Sequence, residues 1–220
     1  MARRKKPDAR TAATDYSAIA TASAILDAAE RLFARKGFDA TRVKQIGVAA
    51  EVNPALIYYY FSDKRGLHQA VIDRFGRELV GRATAALAAA GSPEDVVRAV
   101  VATQSAMLSG HPDRARIIGR ELIDHDAEHA AELISSLARN VFSRLRAAIA
   151  QAQADGTFSS EYDPSYAALS TISQVIYFHL ARPIVQALLR ERGTLGRDEE
   201  TAFAAHAAGF ALGALSGGPR

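Results

Sequence analysis

The sequence predicts an all-α fold of about nine helices, a small N-terminal three-helix domain followed by a larger helical body. Three observations carry this. The chain is rich in Ala and Leu and poor in β-branched runs, and these residues lose least on entering a helix. Apolar residues recur three and four apart in segment after segment, while no stretch alternates with the period of a strand. Cap-plus-proline pairs at Asn53-Pro54, Ser92-Pro93 and Asp163-Pro164 mark helix starts.

The elements follow in order. Residues 1–16 are basic and polar without apolar periodicity and read as a disordered arm. From Ser17, Ala22, Ile25, Leu26, Ala29, Leu32 and Phe33 form one helical stripe, stopped by Gly37 after Arg35 and Lys36. Thr41 is placed to N-cap a short helix with Val43, Ile46, Gly47 and Ala50 inward. Asn53 caps a third helix with Ile57 and Phe61 inward, and Asp63 caps a fourth running toward Gly91. Residues 17–79 thus read as one domain and 80–220 as the body. In the body, one helix opens at Ser92 and ends near Ser109, and His111-Pro112 breaks the chain before another. Residues 128–154 read as one long helix with Leu133, Ile134, Leu137, Val141, Leu145 and Ile149 on a stripe. The last two helices are expected from Asp163 to about Arg190 and over 198–215.

Composition narrows the function classes. The chain is 49% hydrophobic and 23% charged, an ordinary globular balance. It has no cysteine, which excludes a disulfide framework or a thiolate metal site. The start MARRKK lacks the apolar segment of a secretory signal, so a cytoplasmic location is expected. Residues 1–65 carry 12 Lys and Arg against 7 Asp and Glu, whereas the remainder carries 15 against 17. A basic front on a mildly acidic body points the front toward a polyanion.

Two short helices joined by a tight turn behind a basic arm can lay the second helix in a DNA major groove. The missing side chain of Gly47 lets the two helices approach, and Val52 plugs the turn. The third helix turns Ala55, Leu56, Tyr58 and Tyr59 outward. An outward Leu among tyrosines suits base edges, thymine methyls and phosphates better than water. Lys64 stands in the first turn of the fourth helix, where a cation opposes the helix dipole unless it meets a phosphate.

These residues form an ordered string: Ile25-Leu26-x-Ala28-Ala29-x-x-Leu32-Phe33, Gly37-Phe38, Thr41-x-Val43-x-x-Ile46, Ala50-x-Val52, then Leu56-Ile57-Tyr58-Tyr59-Tyr60-Phe61 with Lys64 and Leu67. The string resembles the tetracycline-repressor-like (TetR) regulators over about residues 19–79. The resemblance implies a DNA-binding domain with its helix-turn-helix at about 42–61. Phosphate contacts would fall to Thr41, Tyr58, Tyr59, Tyr60 and Lys64, and base contacts to Arg42, Ala55 and Leu56. The chain departs from the family's pattern twice. Glu51 stands where glycine is usual in the turn, so a residue without glycine's freedom must adopt that conformation. Gly66 stands where an acidic residue usually completes a capping box, so the fourth helix is expected to start less firmly. Apart from Asn53 at its cap, the recognition helix has no Arg, Lys, Asn or Gln. Readout is therefore expected to lean on Arg42, Gln45 and Asn53, on apolar contacts, and on the arm Arg3-Arg4-Lys5-Lys6.

Residues 164–181 and 201–215 carry no charge, so each is expected to be covered on several sides, the last by a partner subunit. The final segment is too rich in Ala and Gly for a membrane span, and no membrane partner is expected. The resemblance implies a homodimer through the last two helices and an effector pocket among the body helices, which fits a palindromic double-stranded operator. Met107, Ile118, Phe142, Tyr177, Phe178 and His179 are the pocket candidates. They suggest a largely apolar or aromatic effector held by few polar contacts. The expected function is a repressor released from its operator by that unknown small molecule, without cofactor, metal or catalytic residue. An alternative is a helical metalloenzyme or metal sensor, because His125-x-x-Glu128-His129 matches the H-x-x-E-H zinc pattern.

Overall fold

A computed structural model describes residues 9–217 and, among them, only helices and their connections. The chain divides into two compact units, one ending at Ile72 and the other beginning at Asp73. Residues 1–8 of the expected arm, including Arg3, Arg4, Lys5 and Lys6, lie outside the described residues. The rest of that arm is corrected: α1 spans Ala9–Lys36 and takes up residues 9–16.

In the first unit α2 is Val43–Ala49, α3 is Pro54–Phe61, and α4, Lys64–Ala89, continues into the second unit. Ile25, Ala28, Ala29 and Phe33 of α1, Ile46 of α2, Ile57 of α3 and Leu67 of α4 are all buried. Each large apolar side chain withdrawn here contributes about 1.5–3 kcal/mol. Phe33, Phe38 and His68 form an aromatic cluster with ring centroids 4.8–5.9 Å apart.

In the second unit α5 (Pro93–Gly110) and α6 (Pro112–Asp124) are followed by a 3₁₀ turn at Glu128–Ala130, then α7 (Ala131–Leu137) and α8 (Ser143–Ala154). A π turn over Ala138–Phe142 joins α7 to α8, with the Ser143 N–H donating to the Ala138 carbonyl five residues back. The single helix expected over 128–154 is thus interrupted. Residues 133, 137, 141, 145 and 149 recur every four positions and would drift around a 3.6-residue helix; the wider π turn resets the stripe. Leu133, Val141, Leu145 and Ile149 are buried, but Ile134 is 45% exposed, against expectation.

The helix expected to run to Arg190 is also shorter. Helix α9 (Pro164–Leu180) ends before Pro183, which has no N–H to continue it, and α10 (Arg182–Leu188) starts anew. The last helix is α11 (Arg197–Leu215). Helix α5 packs against α8, α9 and α11. The core they enclose includes Val97, Val100, Leu145, Ile149, Ala168 and Leu212. No helix among the described residues is long and apolar enough to cross a membrane.

Candidate nucleic-acid interface and body cavity

The geometry of α2 and α3 begins with Gly47. A Cβ there would come within 3.0 Å of the Pro54 ring and 3.1 Å of the Val52 carbonyl oxygen, so a larger residue would have to push the two helices apart by a few tenths of an ångström. The turn between them includes Glu51 at φ 56°, the left-handed conformation expected from its place in the turn. Asn53 caps α3 as anticipated, its Oδ1 accepting from the Ala55 N–H at 2.9 Å.

Helix α3 buries Ile57 completely and leaves Phe61 and Tyr60 half-buried. Ala55, Leu56, Tyr58 and Tyr59 are exposed, Tyr59 to 79%. Tyr59 and Tyr60 meet edge to face at 5.0 Å. Arg42 and Asn53 are exposed and Gln45 is half-buried. The expected face is thereby assembled on one short helix and its approach, with two exceptions.

Thr41 is the first exception. Its side chain is 1% exposed and its hydroxyl donates to the Gly37 carbonyl at 2.7 Å, so it faces inward and offers nothing to a phosphate. Nor does it cap α2: Arg42 occupies the N-cap, where a guanidinium cannot accept a hydrogen bond. Gln45 closes that end instead, its Oε1 accepting from the Arg42 N–H at 3.2 Å.

Lys64 is the second. Its ammonium donates to the carbonyls of Phe38, Thr41 and Asp39 at 3.0, 3.3 and 3.4 Å and lies 4.2 Å from the centre of the Phe38 ring. The charge tolerated at the start of α4 is thus met by carbonyls of the connection between α1 and α2. The expectation for Gly66 also changes. Asp63 Oδ1 accepts from the Gly66 N–H at 2.7 Å, so α4 is capped, and a Cβ at 66 would collide with the Phe61 carbonyl oxygen.

The second unit contains a cavity of about 750 Å³ bounded by α5, α6, α9, α10 and the start of α11. Of the pocket candidates only His179 lines it. Met107 and Phe178 are buried in packing, Phe142 packs against the main core, Ile118 is half-buried, and Tyr177 points outward at 55% exposure. The period of a helix locates its inner face but not which part of that face meets empty space. The lining residues missed include Arg116 and Arg120, one turn apart on α6, and Arg182, Gln186 and Glu200. The Arg116/Arg120 spacing was a readable signal; the pairing of Arg182 with Glu200 across 18 residues was not.

Electrostatics in the cavity are mostly settled internally. Arg182 pairs with Glu200 and also donates to the Leu195 carbonyl. Burial alone would raise the Glu200 carboxyl, but hydrogen bonds from Arg182 and Ser109 and the Arg182 charge hold it below the usual carboxylate range. Burial pushes the His179 imidazole below its ordinary value; Glu200 opposes this and Arg182 adds to it. The His179 Nε2 lies 3.4 Å from the Ser105 hydroxyl.

The H-x-x-E-H reading is not supported. Helix α6 stops at Asp124, and Asp126 and Ala127 take left-handed φ of 48° and 61°, so residues 125–129 are not one helical turn. Glu128 is exposed whereas His129 is buried, with its Nδ1 3.0 Å from Glu121 Oε1, an oxygen that also accepts the His129 backbone N–H at 2.6 Å. Among the described residues His125, Glu128 and His129 do not gather as one set of ligand atoms.

Comparison with known proteins agrees with this geometry. Residues 25–71 match the family model described as bacterial regulatory proteins, tetR family, and residues 90–180 match that of the tetracyclin repressor-like C-terminal domain. The HTH-type transcriptional repressor NicS of Pseudomonas putida is 29% identical over 157 residues, 70% of this chain and 73% of NicS. A tetR-family regulatory protein from Rhodococcus RHA1 superposes with TM-score 0.72 at 22% identity, covering 89% of this chain and 97% of that one. The structure of AibR in complex with isovaleryl coenzyme A and operator DNA gives 0.68 at 19%, covering 86% and 97%. With both units matched in order and an exposed tyrosine face on the second helix of the pair, the chain belongs to the TetR family of DNA-binding transcriptional regulators.

Proposed function

We propose that the chain is a dimeric repressor that holds a palindromic operator through α3 and releases it when a small molecule enters the second unit. The observation that carries this is the composition of α3, which buries Ile57 and exposes Ala55, Leu56, Tyr58 and Tyr59. Leu56 and Ala55 would meet thymine methyls and base edges, while the hydroxyls of Tyr58, Tyr59 and Tyr60 reach phosphates. Arg42 supplies a further base contact. Gln45 and Asn53 already use their carbonyl oxygens on Arg42 and Ala55, so their amide groups would face DNA chiefly as donors.

Dimerisation is supported by two exposed apolar stripes. Tyr166, Leu169 and Tyr177 line one side of α9, and Phe210 stands among Ala205, Gly209 and Gly213 on α11. Small residues there permit close approach of a partner helix. A two-fold pair would present its recognition helices to successive major grooves, roughly 34 Å apart. A cytoplasmic location goes with this role.

Footprinting on the DNA upstream of the chain's own gene tests the proposal. A protected palindrome is expected, with protection lost in Tyr59→Ala and in Leu56→Ala. No protection at low ionic strength would refute it. Removing the first ten residues is expected to flatten the salt dependence of binding, since Arg3, Arg4, Lys5 and Lys6 go with them.

A further inference from the structure

The cavity of the second unit carries a chemical signature. Its volume of about 750 Å³ falls within the range of small-molecule sites. Its walls include Leu108, Ala115, Leu180 and Pro183, and three arginines line it against one glutamate. His179 adds no charge at neutral pH, because its imidazole is held below its ordinary value.

The three arginines are not equivalent. Arg182 is committed to Glu200 and to the Leu195 carbonyl. Arg116 is exposed and pairs with Asp113 at 3.0 Å. Arg120 is half-buried and makes no hydrogen bond or ion pair among the described residues. A guanidinium half-exposed at the cavity wall, its donors unused by the described residues, can take a carboxylate through two parallel hydrogen bonds. The opposite ligand charge is disfavoured, because the only carboxylate in the lining, Glu200, is already engaged by Arg182 and Ser109. With Arg116 and Arg182 already paired, the one uncommitted guanidinium among the described lining residues matches a single negative charge.

We propose that this cavity binds an amphiphilic organic monoanion, its carboxylate on Arg120 and its apolar chain along Leu108, Ala115, Leu180 and Pro183. The inference deepens the effector reading above and rests on it for physiological meaning, but its test does not.

The test uses the full chain and three probes of one length: octanoate, octan-1-ol and octylammonium. Titration calorimetry and thermal shift are expected to show octanoate binding at least tenfold more tightly than octan-1-ol, with octylammonium not binding. Arg120→Gln is expected to weaken octanoate at least tenfold. Arg120→Lys, which keeps the charge, recovers part of that loss, an outcome that a collapsed cavity would not give. Equal affinity for the acid and the alcohol, or octanoate binding unchanged in Arg120→Gln, overturns the proposal. The regulatory reading is scored separately, by footprinting without ligand. Octanoate binding through Arg120 without a protected operator would leave the site standing and remove the repressor; a protected operator without octanoate binding would do the reverse.

Discussion

Gly66 lies directly beneath the carbonyl oxygen of Phe61, at a separation that excludes a Cβ. The cause is the turn that closes α3. Ser62 takes φ 66° and ψ −52°, and the Asp63 N–H reaches back two residues to the Phe61 carbonyl at 2.7 Å. This is a positive-φ γ-turn, a rare and strained link. It fixes the direction in which α4 leaves α3, and therefore the pose of the tyrosines against the start of α4. Gly66→Ala is expected to cost about 1–3 kcal/mol, as for overpacking elsewhere, and to weaken operator binding along with stability. Urea unfolding and band-shift titration together check this. An alanine variant as stable as the parent would show that the turn relaxes without penalty.

Glu51 gives the opposite sign. It is exposed, holds φ 56°, and stands in the turn between α2 and α3. A left-handed backbone costs an L-residue roughly 1–2 kcal/mol, part of which glycine gives back through the entropy of the unfolded chain. Glu51→Gly is therefore expected to stabilise the protein by about 0.5–1 kcal/mol, read as a higher urea midpoint at unchanged slope. Removing a carboxylate beside the DNA-facing helix should also tighten operator binding at low salt.

These two positions show what a sequence can and cannot disclose. The strain at Glu51 was legible, because a turn of that kind needs positive φ whatever residue occupies it. The role of Gly66 was not, because it depends on where a carbonyl five residues earlier comes to rest. Likewise the outward face of α3 follows from helical period alone, and Leu56, Tyr58 and Tyr59 stand where the period puts them. Thr41 and Lys64 do not follow, since both are claimed by carbonyls of the connection between α1 and α2. The helix starts after Ser92 and Asp163 were legible from their caps, the π turn over Ala138–Phe142 was not, and the break after Leu180 could have been read from Pro183. The cavity was not, because void space is a property of packing between segments distant in sequence.

Lys64 separates a structural from an electrostatic role. Lys64→Met keeps an apolar stem over Phe38 and removes the donors to the carbonyls of residues 38, 39 and 41. Losing charged hydrogen bonds of this kind costs about 1.5–3 kcal/mol. The salt dependence of operator binding should keep its slope, whereas loss of a phosphate contact would reduce it by about one. A shallower slope with unchanged stability would return Lys64 to the DNA.

His179 makes stability depend on pH. Its folded value lies below the unfolded one, because burial disfavours the imidazolium more than Glu200 favours it, with Arg182 also opposing the charge. As pH falls below about 6.5, the unfolded chain takes up a proton that the folded chain refuses. Stability is then complete above that pH and falls as acid is added, until the folded value is reached. His179→Phe is expected to flatten this part of the profile in urea unfolding measured between pH 8 and 5. A variant with the same slope as the parent would exclude His179 as its source.

The apolar stripes on α9 and α11 allow a test in which folding and assembly part company. Leu169 is 53% exposed and Phe210 is 62% exposed, so neither supports the core of its own chain. A glutamate at either place should leave secondary structure intact and cost little within one chain. Across a two-fold axis the same substitution sets each new carboxylate in an apolar contact against its own copy. Leu169→Glu with Phe210→Glu is thus expected to yield a folded monomer by light scattering. Its affinity for a palindromic operator should fall at least about a hundredfold, because two half-sites would no longer be held by one linked reader. Binding to a single half-site should persist, since α3 is untouched. If the double variant remains dimeric and binds the full operator as before, subunits pair elsewhere, and the exposed stripes belong to another contact.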